Sequence, residues 1–281
     1  MKSKDLIHVL RTIEEKGIVD VLKKTRQRLN AIFAYTISRG FIEENPAYFL
    51  KDVFLLTKRM KHLPQLPLEK LPELLQKIKL DTGQPLTLLC ALFTLHTFAR
   101  SSEIRYARWD EFDFEKEIWT IPATRELVAG DKFSNRGAKM KTDHLIYLSP
   151  QLIALLKEIR IYSGLSRNMF PKHGDPEGFM SDATLNGLLR RSGYSTTNDI
   201  TGHCFRWMAC TALSQSTLFQ REAVEKQMSH QERDQVRLAY THKAEYLEER
   251  KRMLNWWSAY VDANQEHYIS PYDFTQQFSN S

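Results

Sequence analysis

The sequence predicts a mostly α-helical protein with a small antiparallel β-sheet, an α+β fold in two parts. Three observations lead there. Residues 1–57 carry helical periodicity interrupted at glycines. Residues 58–66 read as a basic, proline-punctuated linker. Within 67–281 only two short runs, 117–121 and 144–148, have strand character against an otherwise helical pattern. At 281 residues, with 42% apolar and 26% charged side chains, the chain has enough apolar material for a sizeable core.

Taken in order, a first helix is expected near residues 4–16, stopped by Gly17, and a second near 19–39, stopped by Gly40. At 100° per residue, Leu22, Leu29, Ile32, Phe33 and Ile37 of the second helix share one broad stripe. Lys24, Arg28, Tyr35 and Arg39 gather on the other side. That is a core face opposite a basic, aromatic face. The latter suits either nucleic acid or plain solvation. Beyond the linker the pattern is helical over 68–108, broken near 81–85. The two strand runs follow, separated by the Gly- and Lys-containing segment 129–141. From Pro150 onward nearly everything reads as helix, ending in a long one near 244–262 with Leu247, Leu254, Trp257 and Val261 on one stripe.

Charge is unevenly divided. Residues 1–66 hold 13 Lys and Arg against 7 Asp and Glu, whereas residues 67–281 hold 27 of each. The whole formal excess of +6 therefore lies in the first quarter. A basic segment ahead of a balanced body suits phosphate neutralisation; a solvated basic surface is the alternative. No apolar run reaches the length of a membrane span, and the N-terminus has no signal-peptide block. Three cysteines, Cys90, Cys204 and Cys210, are too few for a disulfide framework or a four-ligand zinc site. A reduced, cytoplasmic protein is expected, with no membrane partner.

The sequence has no GxGxxG, no Walker-type GK[ST], no HExxH and no GxSxG. What remains is a set of cations and a tyrosine. His-x-x-Arg occurs three times, at His8/Arg11, His203/Arg206 and His230/Arg233. Context selects His203/Arg206, which follows a turn-forming Thr201-Gly202 and opens a helix. His230 lies 24 residues after Arg206, and Tyr240 ten residues further on. Upstream, Arg100 sits at a helix junction, and Lys139 lies in the segment leading to the second strand run.

Together these stretches resemble the tyrosine recombinase (phage integrase) family, in its prophage and genomic-island branch, along nearly the whole chain. TFARSSEIRYARWDEFDF is similar to the segment with the first catalytic arginine, KMKTDHLIYLS to the lysine hairpin, and TGHCFR to the His-x-x-Arg box. MSHQERDQVRLAYTH resembles the final histidine–tyrosine stretch, and YLEERKRMLNWWSAY the closing helix. Phe98, Ser101 and Ser102 stand where the family pattern has a glycine and a Pro-Gly pair, and segment 123–138 is longer than the pattern.

The resemblance implies a partial core-type DNA-binding domain at 1–57, a linker, and a catalytic domain at 67–281. It implies an N-terminally truncated member, lacking an arm-site domain and a further core-binding helix. The implied activity is integration or excision of a mobile element through a 3′-phosphotyrosyl intermediate. A remnant that only nicks or relaxes DNA, or a non-catalytic DNA-binding protein, are the alternatives. Tyr240 would be the nucleophile. Arg100, Arg206, His203 and His230 would stabilise the phosphorane-like charge, and Lys139, or else Lys141, would protonate the departing 5′ oxygen. Lys24, Arg28, Tyr35 and Arg39 would face DNA. No metal or cofactor is expected. The implied partners are attachment-site duplexes, further copies of the chain in a tetrameric synapse, and accessory DNA-bending proteins at the bacterial nucleoid.

Overall fold

The computed structural model describes residues 2–54, 64–229 and 246–278. The chain divides into two compact units, Met1–His62 and Leu63–Ser281. Most of the linker expected at 58–66 lies outside the described residues. At its end, however, Leu66 is buried in the second unit's core and the Pro64 carbonyl accepts from the Cys204 thiol.

In the first unit, α1 (Ser3–Glu15) lies on α2 (Val19–Ser38) and on the short α3 (Leu50–Val53). Leu6, Leu10, Leu22, Ala47, Leu50 and Phe54 form its core, with Leu29 and Phe33 against them. The expected five-residue stripe on α2 is only partly realised, because Ile32 is 56% exposed and Ile37 38%. Leu22, Leu29 and Phe33 lie within about 40° of one another at 100° per residue, and Ile32 and Ile37 flank them on either side. Two short covering helices reach the middle of the stripe and not its edges. Lys24, Arg28, Tyr35 and Arg39 are all exposed. Arg39 lies over the Tyr35 ring, 5.3 Å from its centroid, and its Nε donates to the Tyr35 hydroxyl at 3.1 Å.

The second unit opens with a 3₁₀ turn, then α4 (Leu71–Lys79), α5 (Pro85–Thr97) and α6 (Ser101–Arg105). Three antiparallel strands follow, β1 (Phe112–Asp113), β2 (Ile118–Ile121) and β3 (His144–Tyr147), in the order β1-β2-β3. Trp119 is opposite Phe112 on one side and Ile146 on the other. Then come α7 (Pro150–Ser163), the hairpin β4 (Pro171–Lys172) and β5 (Asp175–Phe179), α8 (Thr184–Arg191), α9 (Cys204–Gln215) and α10 (Arg221–Gln227). The described chain ends with α11 (Leu247–Ala263) and α12 (Pro271–Phe278).

Two strand elements depart from the sequence reading. The hairpin interrupts the all-helical stretch expected beyond Pro150. β4 is only two residues long, and β5 carries Pro176 and Gly178 among polar residues, a composition that reads as a turn and not as an alternating strand. The buried Asn168 amide organises it, donating to the carbonyls of Glu177 (3.0 Å) and Gly178 (3.1 Å). β1 is likewise only two residues long.

The interior of this unit is helical layers around α5 and α11. Trp119, Trp256 and Trp257 are all fully buried, and Trp256 stacks on Tyr260 at 5.2 Å. On α11, Leu254, Trp257 and Val261 are buried as their spacing requires, whereas Leu247 is 37% exposed at the helix start. Trp257 donates to the Leu95 carbonyl of α5 at 2.8 Å.

Just past α5 the chain turns at Phe98, with φ +38°. This is the left-handed region, costing a non-glycine residue about 1–2 kcal/mol. The position is one where the family pattern carries glycine. Phe98 is fully buried edge-on against Trp257, 6.5 Å between centroids. Burial of the ring outweighs the strain, since deleting a buried Phe costs about 3–5 kcal/mol. Phe98→Gly is therefore expected to destabilise the protein by about 2–3 kcal/mol in urea unfolding, despite relieving the backbone. A more stable glycine variant would mean that strain dominates.

Candidate active site

Arg100 precedes α6, and Glu103 bends back to cap that helix. The Glu103 carboxylate, 1% exposed, accepts from the Arg100 backbone N–H (Oε2, 2.9 Å) and from the Arg100 guanidinium (Oε1, 3.2 Å). The same Oε1 accepts from the Lys139 backbone N–H at 3.2 Å. One buried carboxylate thus joins the helix bearing Arg100 to the turn bearing Lys139. The side chain of Lys139 is exposed, as is that of Lys141 two residues on.

Arg206 comes from α9. The turn before that helix approaches α8 closely: a Cβ on Gly202 would lie 2.4 Å from the Leu185 side chain, and the Gly202 N–H donates to Asn186 at 3.1 Å. His203 then sits at the helix mouth with its side chain exposed. One turn later Arg206 points inward and is buried. It donates to the carbonyls of Phe98 and of Met228, the latter at 2.6 Å.

The two arginines meet there. Arg100 also donates to the Met228 carbonyl (3.3 Å) and to that of Ser229 (2.7 Å). Arg100 is only 15% exposed, and among the described residues Glu103 is the carboxylate paired with it. Burial, followed by repulsion from Arg100, holds the Arg206 pKa down at about 10. Arg206 is still cationic at neutral pH, so among the described residues two guanidinium charges face one carboxylate. An arriving phosphate dianion or diester would relieve that imbalance, and planar guanidinium donors suit its oxygens.

Two further groups belong to this cluster. His144 on β3 is buried, and its pKa is held down at about 3, chiefly by burial and then by Arg250, Arg206 and Arg100. It is neutral at any working pH. Arg250 of α11 is 1% exposed and donates through Nε to Gln227 (2.8 Å) and also to the Leu145 carbonyl of β3. It thereby ties the closing helix to the strand after Lys139 and to the end of α10. Neither residue was singled out in the sequence. Arg250 did leave a trace, as a charge four residues before Leu254 inside the apolar stripe of α11.

The structure thus brings together Arg100, Arg206 and the backbone of Lys139, with His203 one turn before Arg206. His230 and Tyr240 lie outside the described residues; His230 directly follows Ser229 in the chain. Lys24, Arg28, Tyr35 and Arg39 belong to the first unit. Among the described residues no group of three or more His, Cys, Asp or Glu could hold a metal ion, and no helix is long and apolar enough to cross a membrane.

This constellation on this fold defines a class. Residues 64–246 match the phage integrase family and residues 1–53 its central domain. The chain belongs to the phage integrase family, the tyrosine-type site-specific recombinases. Among curated relatives it is 45% identical to the protein IntB of Escherichia coli strain K12, over 98% of this chain and 69% of that one. To the integrase of Enterobacteria phage P4 it is 41% identical, over 96% of this chain and 61% of that one. The chain thus spans between three-fifths and seven-tenths of these relatives' length. Solved structures share the fold. One is a lambda integrase dimer bound to a COC′ core site, at TM-score 0.61 and 13% identity, over 83% of this chain and 80% of that one. Another is the Tn1549 transposon integrase in complex with circular intermediate DNA, at TM-score 0.59 and 19% identity, over 85% and 80%.

Proposed function

We propose that this chain cuts and rejoins duplex DNA at the ends of a mobile element through a tyrosine–DNA intermediate. The observation that carries this reading is the convergence of Arg100 and Arg206 on the Met228 carbonyl, immediately before Ser229 and His230. Tyr240 Oη attacks the scissile phosphorus and forms a phosphotyrosyl ester to the 3′ end. The P–O5′ bond breaks, and Lys139 gives its proton to the departing 5′ oxygen. The tyrosine proton passes to His203 or His230. Arg100 and Arg206 stabilise charge developing on the non-bridging oxygens, from positions set before substrate arrives. The ester conserves bond energy, so rejoining is the reverse attack by a 5′ hydroxyl. Every step uses groups of this chain, and recombination of a plasmid carrying both element ends is expected to proceed in EDTA. A strict requirement for a divalent metal would contradict the mechanism.

Lambda integrase is also known as a tetramer bound to a Holliday junction. A tetrameric synapse of this chain on paired attachment sites, aided by DNA-bending proteins at the nucleoid, fits the same reading. The first unit serves as a DNA clamp, because the formal excess of +6 lies in residues 1–66 and Lys24, Arg28, Tyr35 and Arg39 are exposed together. Each phosphate neutralised contributes roughly 0.9 to the slope of log affinity against log salt. Changing Lys24, Arg28 and Arg39 to Ala is expected to flatten that slope by about 2–3 in a salt titration of duplex binding. An unchanged slope would make the face a solvated surface.

A further inference from the structure

Lys139 follows a 16-residue excursion, 123–138, whose base is sealed in an unusual way. Thr124 and Arg136 form an isolated antiparallel bridge. The Arg125 N–H donates to the Asn135 carbonyl (3.0 Å), and the Ala138 N–H to the Pro122 carbonyl (2.8 Å). Gly137 lies so close to the opposite limb that a Cβ there would come 1.9 Å from the Pro122 oxygen. The two limbs therefore touch backbone to backbone.

Inside this base sits the Arg125 guanidinium, its side chain 1% exposed. It forks onto Glu111, Nε to Oε1 at 2.6 Å and Nη2 to Oε2 at 2.8 Å. Nη1 donates to the Arg136 carbonyl at 2.6 Å, and Nη2 also reaches the Glu103 carbonyl at 3.2 Å. Glu111 is itself fixed, because Oε2 accepts from the Trp119 indole at 2.9 Å. Arg125 thus holds three things at once: the helix carrying Arg100 and Glu103, the first strands of the sheet, and the loop limb three residues before Lys139. Glu103 closes the circuit from the other side by accepting the Lys139 N–H.

A buried ion pair is a weak source of stability, because desolvation offsets much of the attraction. Its rigid planar fork is a strong source of geometry. We propose that Arg125 is a positioning residue for Lys139: by tying the 136–139 limb to Glu103 and Glu111, it sets where the Lys139 ammonium meets the departing 5′ oxygen. The proposal rests on the reading of Lys139 as the proton donor. Arg125 itself touches neither the substrate nor the reacting atoms.

The test separates leaving-group protonation from every other step. Single-turnover cleavage by the full chain is measured on two nicked duplexes, at enzyme concentrations that saturate each. One carries the ordinary scissile phosphodiester. In the other a sulfur replaces the bridging 5′ oxygen, so that the P–S bond breaks and a thiolate leaves without needing a proton. Lys139→Ala is expected to be slow on the first duplex and restored on the second. Arg125→Lys keeps a charge beside Glu111 and loses the fork. It is expected to be roughly 10–100-fold slow on the first duplex and within about threefold of the parent on the second. Arg100→Ala should be slow on both. The pair Arg125→Met with Glu111→Gln removes the buried charges together while leaving an acceptor for Trp119, and should follow Arg125→Lys. It carries the same comparison if the single variant fails to fold.

Equal slowing of the Arg125 variants on both duplexes would make the residue a general structural support and overturn the proposal. Parental rates on both would overturn it too. If Lys139→Ala is itself not restored by sulfur, the proton-donor reading fails first, and that pattern is distinct from a failure of Arg125 alone.

Discussion

Tyr240→Phe is expected to yield no covalent adduct when incubated with a nicked suicide duplex of the attachment site, whereas the parent accumulates one. The duplex traps the intermediate because the short 5′ product diffuses away and cannot attack back. Only the phenolic oxygen is removed, so binding to the duplex should be nearly unchanged. The phenol has an unperturbed pKa of about 10 and needs both a base and nearby cations to attack at neutral pH. Arg100, Arg206 and the histidines supply that setting in the proposed mechanism. An adduct at full yield in the variant would assign the nucleophile elsewhere, with Tyr246, just before α11, the next residue to test.

Arg206→Ala and Arg100→Ala are each expected to slow cleavage by about 10²–10³-fold, the scale for losing one preorganised donor to a developing oxyanion. DNA binding should fall far less, because most phosphate contacts in such complexes lie away from the reacting phosphate. The two variants should differ in stability. Arg206 is buried, and its removal strands the Phe98 carbonyl and leaves the Met228 carbonyl only the longer bond from Arg100 at 3.3 Å, an unpaired buried acceptor costing about 1–3 kcal/mol. Arg100 is partly exposed, and the Glu103 carboxylate keeps the Arg100 and Lys139 backbone N–H groups as partners. Thermal unfolding alongside single-turnover cleavage separates the effects. Equal losses in binding and cleavage would reduce both residues to DNA-positioning contacts.

Much of this molecule is written locally. Helices ending before Gly17 and Gly40, the break at 81–85, the two main strands and the burial of Leu254, Trp257 and Val261 all follow from short-range signals. Those signals are period, end residues and turn chemistry, which act within a few positions. The spacing of His203 and Arg206 was legible for the same reason, one helical turn apart at a helix start, whereas the exposure of the first and the burial of the second were not. The choice of Arg100, Lys139 and Tyr240 came from family resemblance, because nothing in their immediate neighbours distinguishes them from ordinary surface residues.

Other features have no local signature. Phe98 occupies a left-handed position that its own type disfavours, and only its burial against Trp257, 159 positions away, makes that tolerable. Ile32 and Ile37 lie at the edges of an apolar stripe, and the short reach of the covering helices leaves them exposed. Glu103 could have been a simple i,i+3 partner of Arg100; folding also places it beneath the Lys139 amide. Arg125, Arg250 and His144 were invisible as site residues, since their meaning lies in which backbone carbonyls and charges surround them. By itself the sequence determined most of the helices and the strands β2 and β3, where the positive charge is concentrated and which reactive residue types are present. Only the tertiary structure decided which buried donors converge, because desolvation and hydrogen-bond geometry depend on groups far apart in the chain.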